Sequence, residues 1–393
     1  MSNFSRFIGI DIHKKQASFA IVDKEKNLLS KGDFLMANLA DWAKKNLTWD
    51  DAVVIEATGN SYYVYDLLAP YAGEVQVANP LALHDRTRYR RKTDKADARN
   101  LAEQLAMGNV LGVWVPDEED RALRVTMSHR KALSEDITAL KNRMRSLLYR
   151  HGISYAGKEI LSAKALEFVQ SSNMPDSSKR AFQSYQAIST ITVEETALID
   201  RELARKSLAD PQCLNLMTMP GVKPQAASII TSAIGDIKRF SSPKKLASYA
   251  GLVPSVQQSG EGIHYGPITK QGSSLLRWIM VEAAHAAAAT PGPLRDFFYR
   301  LFDRNRCYNK SIVALASKML RIIWFMLAFG VPYRYPRLSS LNIKFRSVLR
   351  TAFGRCPRLA GKKLLMAVLG LTPSAPLGRS SSFPKIALDV IHR

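Results

Sequence analysis

Cysteines, acidic residues and long apolar runs are all scarce in this sequence. The three cysteines lie far apart and form neither a CxxC pair nor a cluster with histidine, which argues against a disulfide framework and a structural zinc site. The N-terminus lacks the basic and apolar segments of a secretory signal, so we expect a cytoplasmic protein. The most apolar window, 311–330, carries Lys318 and Arg321, which favours a buried helix over a membrane span.

Positive charge dominates the composition of the chain. The 393 residues include 56 Lys plus Arg against 34 Asp plus Glu, a net charge of +22. An excess of this size predicts attraction to a polyanion, and without a membrane span nucleic acid is the favoured partner, which would place the protein at the nucleoid. The apolar and charged fractions, 46% and 23%, are ordinary for a globular chain, and the length is typical of two to three domains.

Residues 1–116 have the alternating pattern of a mixed α/β domain. Short apolar, β-branched runs predict strands, and one stretch between them has a helical pattern. The predicted strands are 7–12, 17–22, 52–56 and 75–78, with 113–115 as a further candidate, and the predicted helix is 62–68. We therefore expect a buried central sheet.

Residues 117–210 are predicted to form long, charged helices. Apolar residues at spacings of 4, 3, 4 and 3 mark a coiled-coil-like seam of about two heptads, formed by Leu133, Ile137, Leu140, Met144 and Leu147. Two heptads are compatible with an antiparallel hairpin, with a dimer seam and with plain packing inside one chain. The pattern leaves these three arrangements open.

Residues 211–330 are predicted to form a mainly helical domain. The segment MPGVKPQAASIITSAIG resembles a helix-hairpin-helix turn, whose amides and Lys223 could contact a nucleic-acid phosphate. The final segment, 331–393, has 12 Lys plus Arg and one acid, which is half of the net charge. Its scattered Pro, Gly and Ser predict a poorly packed basic tail, either a nucleic-acid-binding extension or an appended segment without function.

Four carboxylates stand out by their position. Asp11 and Glu56 each lie at the end of a predicted strand, and Asp94 and Asp97 lie three residues apart on a predicted helix. Each acid alone is compatible with a surface carboxylate or a helix cap. Together they could converge, and a divalent cation, Mg²⁺ or Mn²⁺, would neutralise them and could support phosphoryl transfer.

A dense basic run precedes Asp94. It comprises Arg86, Arg88, Arg90, Arg91, Lys92 and Lys95. Cations at this density would neutralise a phosphate backbone, although a solvated charge run has the same composition.

The chain resembles the DEDD transposases of bacterial insertion sequences, which are described as RNA-guided bridge recombinases. The resemblance spans roughly residues 5–330 and rests on GIDIHKKQASFAIVD, VVIEATGN, RKTDKADARNLAEQLA, MPGVKPQAASIITSAIGDIKRF, LASYAGLVPSVQQSGEG and GSSLLRWIMVEAA. It implies an α/β plus α fold, with a RuvC/RNase H-like N-terminal domain, a helical coiled-coil-like middle and a mainly helical C-terminal transposase domain. It also places Asp11, Glu56, Asp94 and Asp97 at the four acidic positions of the family.

The resemblance further implies a nucleophilic serine. The family pattern G-x-x-P-x-x-x-x-S-G reads GLVPSVQQSG here and selects Ser259, with Ser255 as a weaker alternative. A serine hydroxyl needs a metal or a base to become nucleophilic. Lys270 and Arg277, which follow this serine, are candidate phosphate contacts, as is His264.

The resemblance finally implies partners: donor and target DNA, a structured noncoding guide RNA, and further copies of the chain in a dimer or tetramer. The serine of one subunit would then meet the metal-bound acids of another. A covalent link to DNA would conserve bond energy for rejoining, in keeping with the absence of a phosphate-binding loop for ATP from the sequence.

Three other functions remain open from the residues. A hydrolytic nuclease such as a junction resolvase would use the same acids to activate water. A noncatalytic nucleic-acid-binding protein would not need them. An actin-like sugar kinase could also begin with GIDIH, but the chain lacks further glycine-rich phosphate loops and is very basic.

Overall fold

The computed structural model describes residues 4–79, 93–259, 262–355 and 360–370. The chain divides into two compact units, Met1–Pro116 and Asp117–Arg393. The first is a mixed α/β unit and the second is mainly helical.

The first unit is built on a sheet with strand order β3-β2-β1-β4-β5-β6. Its strands are β1 (Arg6–Ile12), β2 (Gln16–Val22), β3 (Leu28–Leu35), β4 (Asp51–Glu56), β5 (Glu74–Ala78) and β6 (Gly112–Val113). The first three strands pair antiparallel, β4 lies parallel to β1, and β5 lies parallel to β4. The short β6 pairs antiparallel with β5 at the sheet edge.

Alternation along β1 separates two hydrophobic layers. Ile8, Ile10 and Ile12 pack with α1 (Leu39–Asn46) and α2 (Ser61–Leu68) on one face of the sheet. Phe7 points to the other face, where it packs with residues of α3 (Asp94–Ala106). Because side chains alternate along a strand, Gly9 and Asp11 share this second face.

The pattern in the sequence did not predict β3 and α1. β3 has the sequence LLSKGDFL and is an edge strand whose side chains are mostly exposed or half-buried. An edge strand needs little apolar surface, so the run of β-branched residues that marked the central strands is missing.

Where the structure describes the second unit, it consists of long helices and a β-hairpin. The helices in the described residues are α4 (Glu118–Arg150), α5 (Ala163–Ser171), α6 (Asp176–Ala209), α7 (Pro211–Leu216), α8 (Pro224–Ile234), α9 (Pro243–Tyr249), α10 (Ser274–Ala289), α11 (Pro293–Asn305), α12 (Tyr308–Phe329), α13 (Leu338–Phe353) and α14 (Ala360–Val368). The hairpin pairs β7 (Pro254–Ser259) with β8 (Gly262–Ile268).

Helices α4 and α6 pack against each other within one chain. In the first half of α4, Arg130 forms a two-pronged ion pair with Asp200 in the second half of α6, with both N···O distances 2.9 Å. Near the end of α4, Met144 and Leu148 share a buried cluster with Phe182, near the start of α6. The two helices therefore run antiparallel, which is the hairpin arrangement among those that the heptad pattern left open.

Helix α12 is long and apolar enough to cross a membrane by length and composition. Its Leu315, Met319 and Ile323 are nevertheless fully buried in the core of the second unit. This packing is that of a core helix, in agreement with the interpretation of the 311–330 window.

The expectation of a poorly packed tail is wrong for α13 and α14. Phe345 and Leu349 of α13 and Leu364 of α14 are buried in the same core cluster as α12. Apolar residues at helical spacing give α13 a hydrophobic face, but its three basic residues, Lys344, Arg346 and Arg350, concealed this pattern. Residues 371–393 lie outside the described part of the chain.

Candidate active site

Two parallel strands bring the first two carboxylates to one edge of the sheet. Ile10 of β1 lies beside Ile55 of β4, so the next residues along, Asp11 and Glu56, are neighbours at the carboxyl ends of the strands. Main-chain pairing alone therefore positions these two acids.

Helix α3 carries the other two predicted carboxylates, Asp94 and Asp97. The Oγ1 of Thr93 accepts a hydrogen bond of 3.3 Å from the Ala96 amide and caps the helix, whose first turn contains Asp94 and Asp97. The helix lies very close to β1: a Cβ built on Gly9 would be 2.0 Å from the Ala98 carbonyl oxygen. Only glycine permits this approach.

His13 lies between two of the acids. Its Nε2 is 3.3 Å from Asp11 Oδ2 and 3.2 Å from Asp94 Oδ2. Each of the three residues offers one potential metal-ligand atom, and these three atoms lie within 4.8 Å of one another. Nothing local in the sequence indicates that α3 will place Asp94 beside His13.

The electrostatics of Asp11 link the whole group. Burial is the largest cause of the raised pKa of Asp11; His13 opposes the rise, and the charges of Asp94, Asp97 and Glu56 add to it. Asp11 thus experiences repulsion from all three other acids. A bound divalent cation would relieve this repulsion, and a set of carboxylate oxygens is the donor set that Mg²⁺ and Mn²⁺ prefer.

Lys95 is the one predicted basic contact of this run that falls within the described residues. Its Nζ is 2.7 Å from Asp33 Oδ2, and Asp33 also accepts a hydrogen bond of 2.7 Å from Ser18. The Lys95 hydrogen bond is the main cause of the lowered pKa of Asp33. Half of the Lys95 side chain remains exposed. The other members, Arg86, Arg88, Arg90, Arg91 and Lys92, lie outside the described residues.

Ser259 is the last residue of β7 and pairs with Gly262 across the hairpin. The residue therefore ends a strand at the tip of the hairpin. The alternative serine, Ser255, donates a hydrogen bond of 3.1 Å to the Pro267 carbonyl and helps to hold the two strands together.

Lys270 and Arg277 lie at the opposite end of this hairpin. The amide of Lys270 donates to the Gly251 carbonyl over 3.3 Å, and Arg277 Nη1 donates to the Ala250 carbonyl over 3.2 Å. Five residue steps of strand separate Pro254 at this base from Ser259 at the tip, about 17 Å. Within one chain the structure therefore does not bring these two cations to Ser259.

Lys223 lies at a third place in the second unit. It is exposed and immediately precedes Pro224, the first residue of α8. The preceding Gly221 has φ +82°, and a Cβ there would lie 2.1 Å from the Ala283 carbonyl oxygen. The turn before α8 thus has the tight geometry that its glycine predicts.

Comparison with known proteins identifies the class of enzyme. The DEDD transposase model of the IS110 group matches residues 8–153, and the model of the IS116/IS110/IS902 transposase family matches residues 213–300. The first covers the sheet and all four carboxylates, and the second covers the turn before α8 and the hairpin with Ser259. The two matches thus identify an insertion-sequence transposase, an enzyme that moves DNA.

Full-length relatives agree with the two models. A Sinorhizobium fredii protein whose name describes it as a transposase, y4qE, is 28% identical over 361 residues, which are 90% of this chain and 86% of the relative. The transposase for insertion sequence element IS1111A of Coxiella burnetii is 25% identical over 72% of this chain and 79% of the relative. The chain belongs to the IS110 family of DEDD transposases.

Proposed function

We propose that the protein is a metal-dependent DNA recombinase that cuts and rejoins DNA through a covalent link to Ser259. In this proposal Asp11, Glu56, Asp94 and Asp97 hold Mg²⁺ or Mn²⁺, and a structured noncoding RNA selects the donor and target DNA. The observation that carries the proposal is the grouping of Asp11, His13 and Asp94, whose potential ligand atoms lie within 4.8 Å of one another, next to the charges of Glu56 and Asp97, which also act on Asp11.

The topology of the first unit supports a RuvC/RNase H-like domain. Three antiparallel strands are followed by two strands parallel to β1, and the acids lie at the carboxyl ends of the first and fourth strands. Ligands of α/β sheets commonly bind at such strand ends. A helix then adds the remaining two acids from one face of the sheet.

The residues present fit a divalent metal. Potential ligand atoms of Asp11, His13 and Asp94 lie within 4.8 Å of one another, and Glu56 and Asp97 add to the repulsion at Asp11, which a bound cation would offset. When bound, the metal would stabilise negative charge on the reacting phosphate. The chain itself aligns the acids through β1–β4 pairing and through the Gly9–Ala98 approach.

The serine step divides recombination into two exchanges of phosphodiester bonds. The Ser259 oxygen bonds to a DNA phosphorus and a DNA hydroxyl leaves; a DNA hydroxyl then attacks the serine phosphodiester and releases the serine. No net bond energy is lost, so no ATP is required. Ser259 and the acids belong to different units, and the family resemblance implies that they meet between subunits of a dimer or tetramer.

With a guide RNA, the RNA would recognise the DNA sequence and the protein would bind the DNA backbone. If base pairing selects the sequence, the protein needs mainly backbone contacts, for which the net charge of +22 is well suited. This role for RNA rests on the family resemblance.

The experiment is a search for a protein–DNA adduct. Purified protein is incubated with its element-encoded RNA, donor and target DNA and Mg²⁺, and the reaction is stopped in denaturant. We expect an adduct in the wild type, its loss in Ser259→Ala and in Asp11→Asn, and its retention in Ser255→Ala, since Ser255 supports only the hairpin.

The rival functions give different results in the same assay. Cleavage that persists in Ser259→Ala without any adduct would indicate a hydrolytic nuclease. Binding of DNA and RNA without cleavage, unchanged when Asp11 and Glu56 are replaced, would indicate a noncatalytic binding protein.

A further inference from the structure

Lys344 of α13 is bound by one turn of the chain. Its Nζ donates hydrogen bonds to the main-chain carbonyls of Met217 (2.7 Å), Met219 (2.8 Å) and Val222 (3.1 Å). Burial, followed by the charge of nearby Lys223, lowers the pKa of Lys344 to about 7. Three carbonyl acceptors require three N–H hydrogens, which only the ammonium form has, so this geometry describes charged Lys344.

The turn that Lys344 holds is the one that precedes α8. It is also fixed from the other side, where the carbonyl of Ala283 leaves no room for a side chain on Gly221. Helix α8 then begins without a side-chain cap: Lys223 does not provide one, and Pro224 has no amide hydrogen.

A cavity of about 550 Å³ lies beside this turn and is lined by both polar and apolar residues. Lys223, Gln225 and Lys344 are among them, together with Ser340 and the Arg130–Asp200 pair. Among the described residues, the Gln225 Nε2 is a buried donor without a hydrogen-bond partner. Arg130 is paired with Asp200 and the Lys344 ammonium is held by three carbonyls, so the exposed Lys223 and the Gln225 amide are the lining groups that remain available to an anion.

We propose that Lys344 is a positioning residue that acts as a built-in monovalent cation for the Met217–Lys223 turn. By gathering three carbonyls it sets Lys223 and the start of α8 to bind a backbone phosphate of a nucleic acid. The identity of the anion as nucleic acid rests on the proposed function. DNA and RNA share the phosphodiester group, so the test uses both.

The test measures binding by the full-length protein without Mg²⁺, so that no chemistry takes place. The probes are a fluorescent DNA duplex and a fluorescent RNA hairpin, both of arbitrary sequence. Lys344→Ala is compared with Lys363→Ala, which removes the same charge from an exposed position on α14. We expect Lys344→Ala to bind at least one probe about tenfold more weakly than the wild type. The salt dependence of its affinity should fall by the amount that about one phosphate contact contributes. Lys363→Ala should change both the affinity and its salt dependence less.

Cation rescue separates this role from simple packing. Removal of the lysine leaves three carbonyl oxygens around a vacant cation position, and such oxygens coordinate ammonium and potassium. Replacing LiCl by NH₄Cl or KCl at equal ionic strength should restore most of the affinity of Lys344→Ala and leave the wild type unchanged. A loss of affinity that neither salt restores would overturn the proposal.

A second variant tests the proposal even if Lys344→Ala does not fold. Lys223 is exposed, so Lys223→Ala should fold, bind about tenfold more weakly and show no rescue by ammonium. Affinity and salt dependence equal to the wild type in Lys223→Ala would contradict the proposal. A wild type that shows all the expected binding but forms no DNA adduct would refute the recombinase function and leave the role of Lys344 standing.

Discussion

Gly9 of β1 and Ala98 of α3 touch through their main chains. A Cβ on Gly9 would lie 2.0 Å from the Ala98 carbonyl oxygen and 2.6 Å from the amide nitrogen of Ala102, also in α3. Asp11 follows Gly9 on the same face of the sheet, and Asp94 lies one turn before Ala98. The distance between the Asp11 and Asp94 carboxylates therefore depends on the lack of a side chain at Gly9.

Gly9→Ala tests this dependence. The added methyl group must push α3 away from the sheet, which we expect to cost about 1–3 kcal/mol of unfolding free energy and to weaken Mn²⁺ binding. Gly59→Ala is the control, because nothing lies within 4 Å of a Cβ there. Denaturant unfolding and Mn²⁺ titration measure the two effects. Unchanged Mn²⁺ affinity in Gly9→Ala would show that the site does not need the close approach.

The sequence could predict the central parts of this arrangement. Strands β1, β2, β4 and β5 are marked by apolar runs, and the family resemblance selects the four acids. The contact of His13 with Asp94 and the binding of Lys344 to the Met217 carbonyl join residues 81 and 127 positions apart, and no local pattern encodes such contacts. The packing of α13 was missed because its basic residues outweighed its hydrophobic face.

Asp11→Asn should stabilise the metal-free protein. The substitution removes a half-buried charge that is repelled by three neighbouring acids, so we expect the Tm in EDTA to rise by a few degrees. Mg²⁺ should raise the Tm of the wild type and have little effect on the variant. Asp41→Asn, at an exposed position on α1, is the control and should respond to Mg²⁺ as the wild type does. A lower Tm of Asp11→Asn in EDTA would argue against repulsion within the cluster.

Asp120, in the first turn of α4, predicts a pH dependence of stability. Burial, followed by the charge of Asp117, raises its pKa to about 6. The unfolded value is about 4, so between pH 4 and 6 the folded protein binds a proton that the unfolded chain has released. This contribution to stability is therefore present below about pH 4 and is lost as the pH rises through 6.

Asp120→Asn should remove the loss of folding stability that accompanies the ionisation of Asp120. We expect its Tm to exceed that of the wild type at pH 8 and to match it at pH 4. Glu118→Gln removes an exposed charge from the same helical turn and should show no such pH-dependent gain. Scanning calorimetry across this range provides the measurement, and equal Tm differences at both pH values would contradict the assignment.

In the proposed mechanism the four acids form one metal-dependent centre for cutting DNA. The most direct measurement is the rate of DNA strand cleavage, at several Mg²⁺ concentrations, by the wild type, Asp11→Asn, Glu56→Gln, Asp94→Asn, Asp97→Asn and the control Asp41→Asn. We expect each of the four variants to cleave at least about a hundredfold more slowly, while Asp41→Asn and the wild type cleave equally and stop in EDTA. Cleavage at the wild-type rate by any of the four variants, or by the wild type in EDTA, would contradict this mechanism.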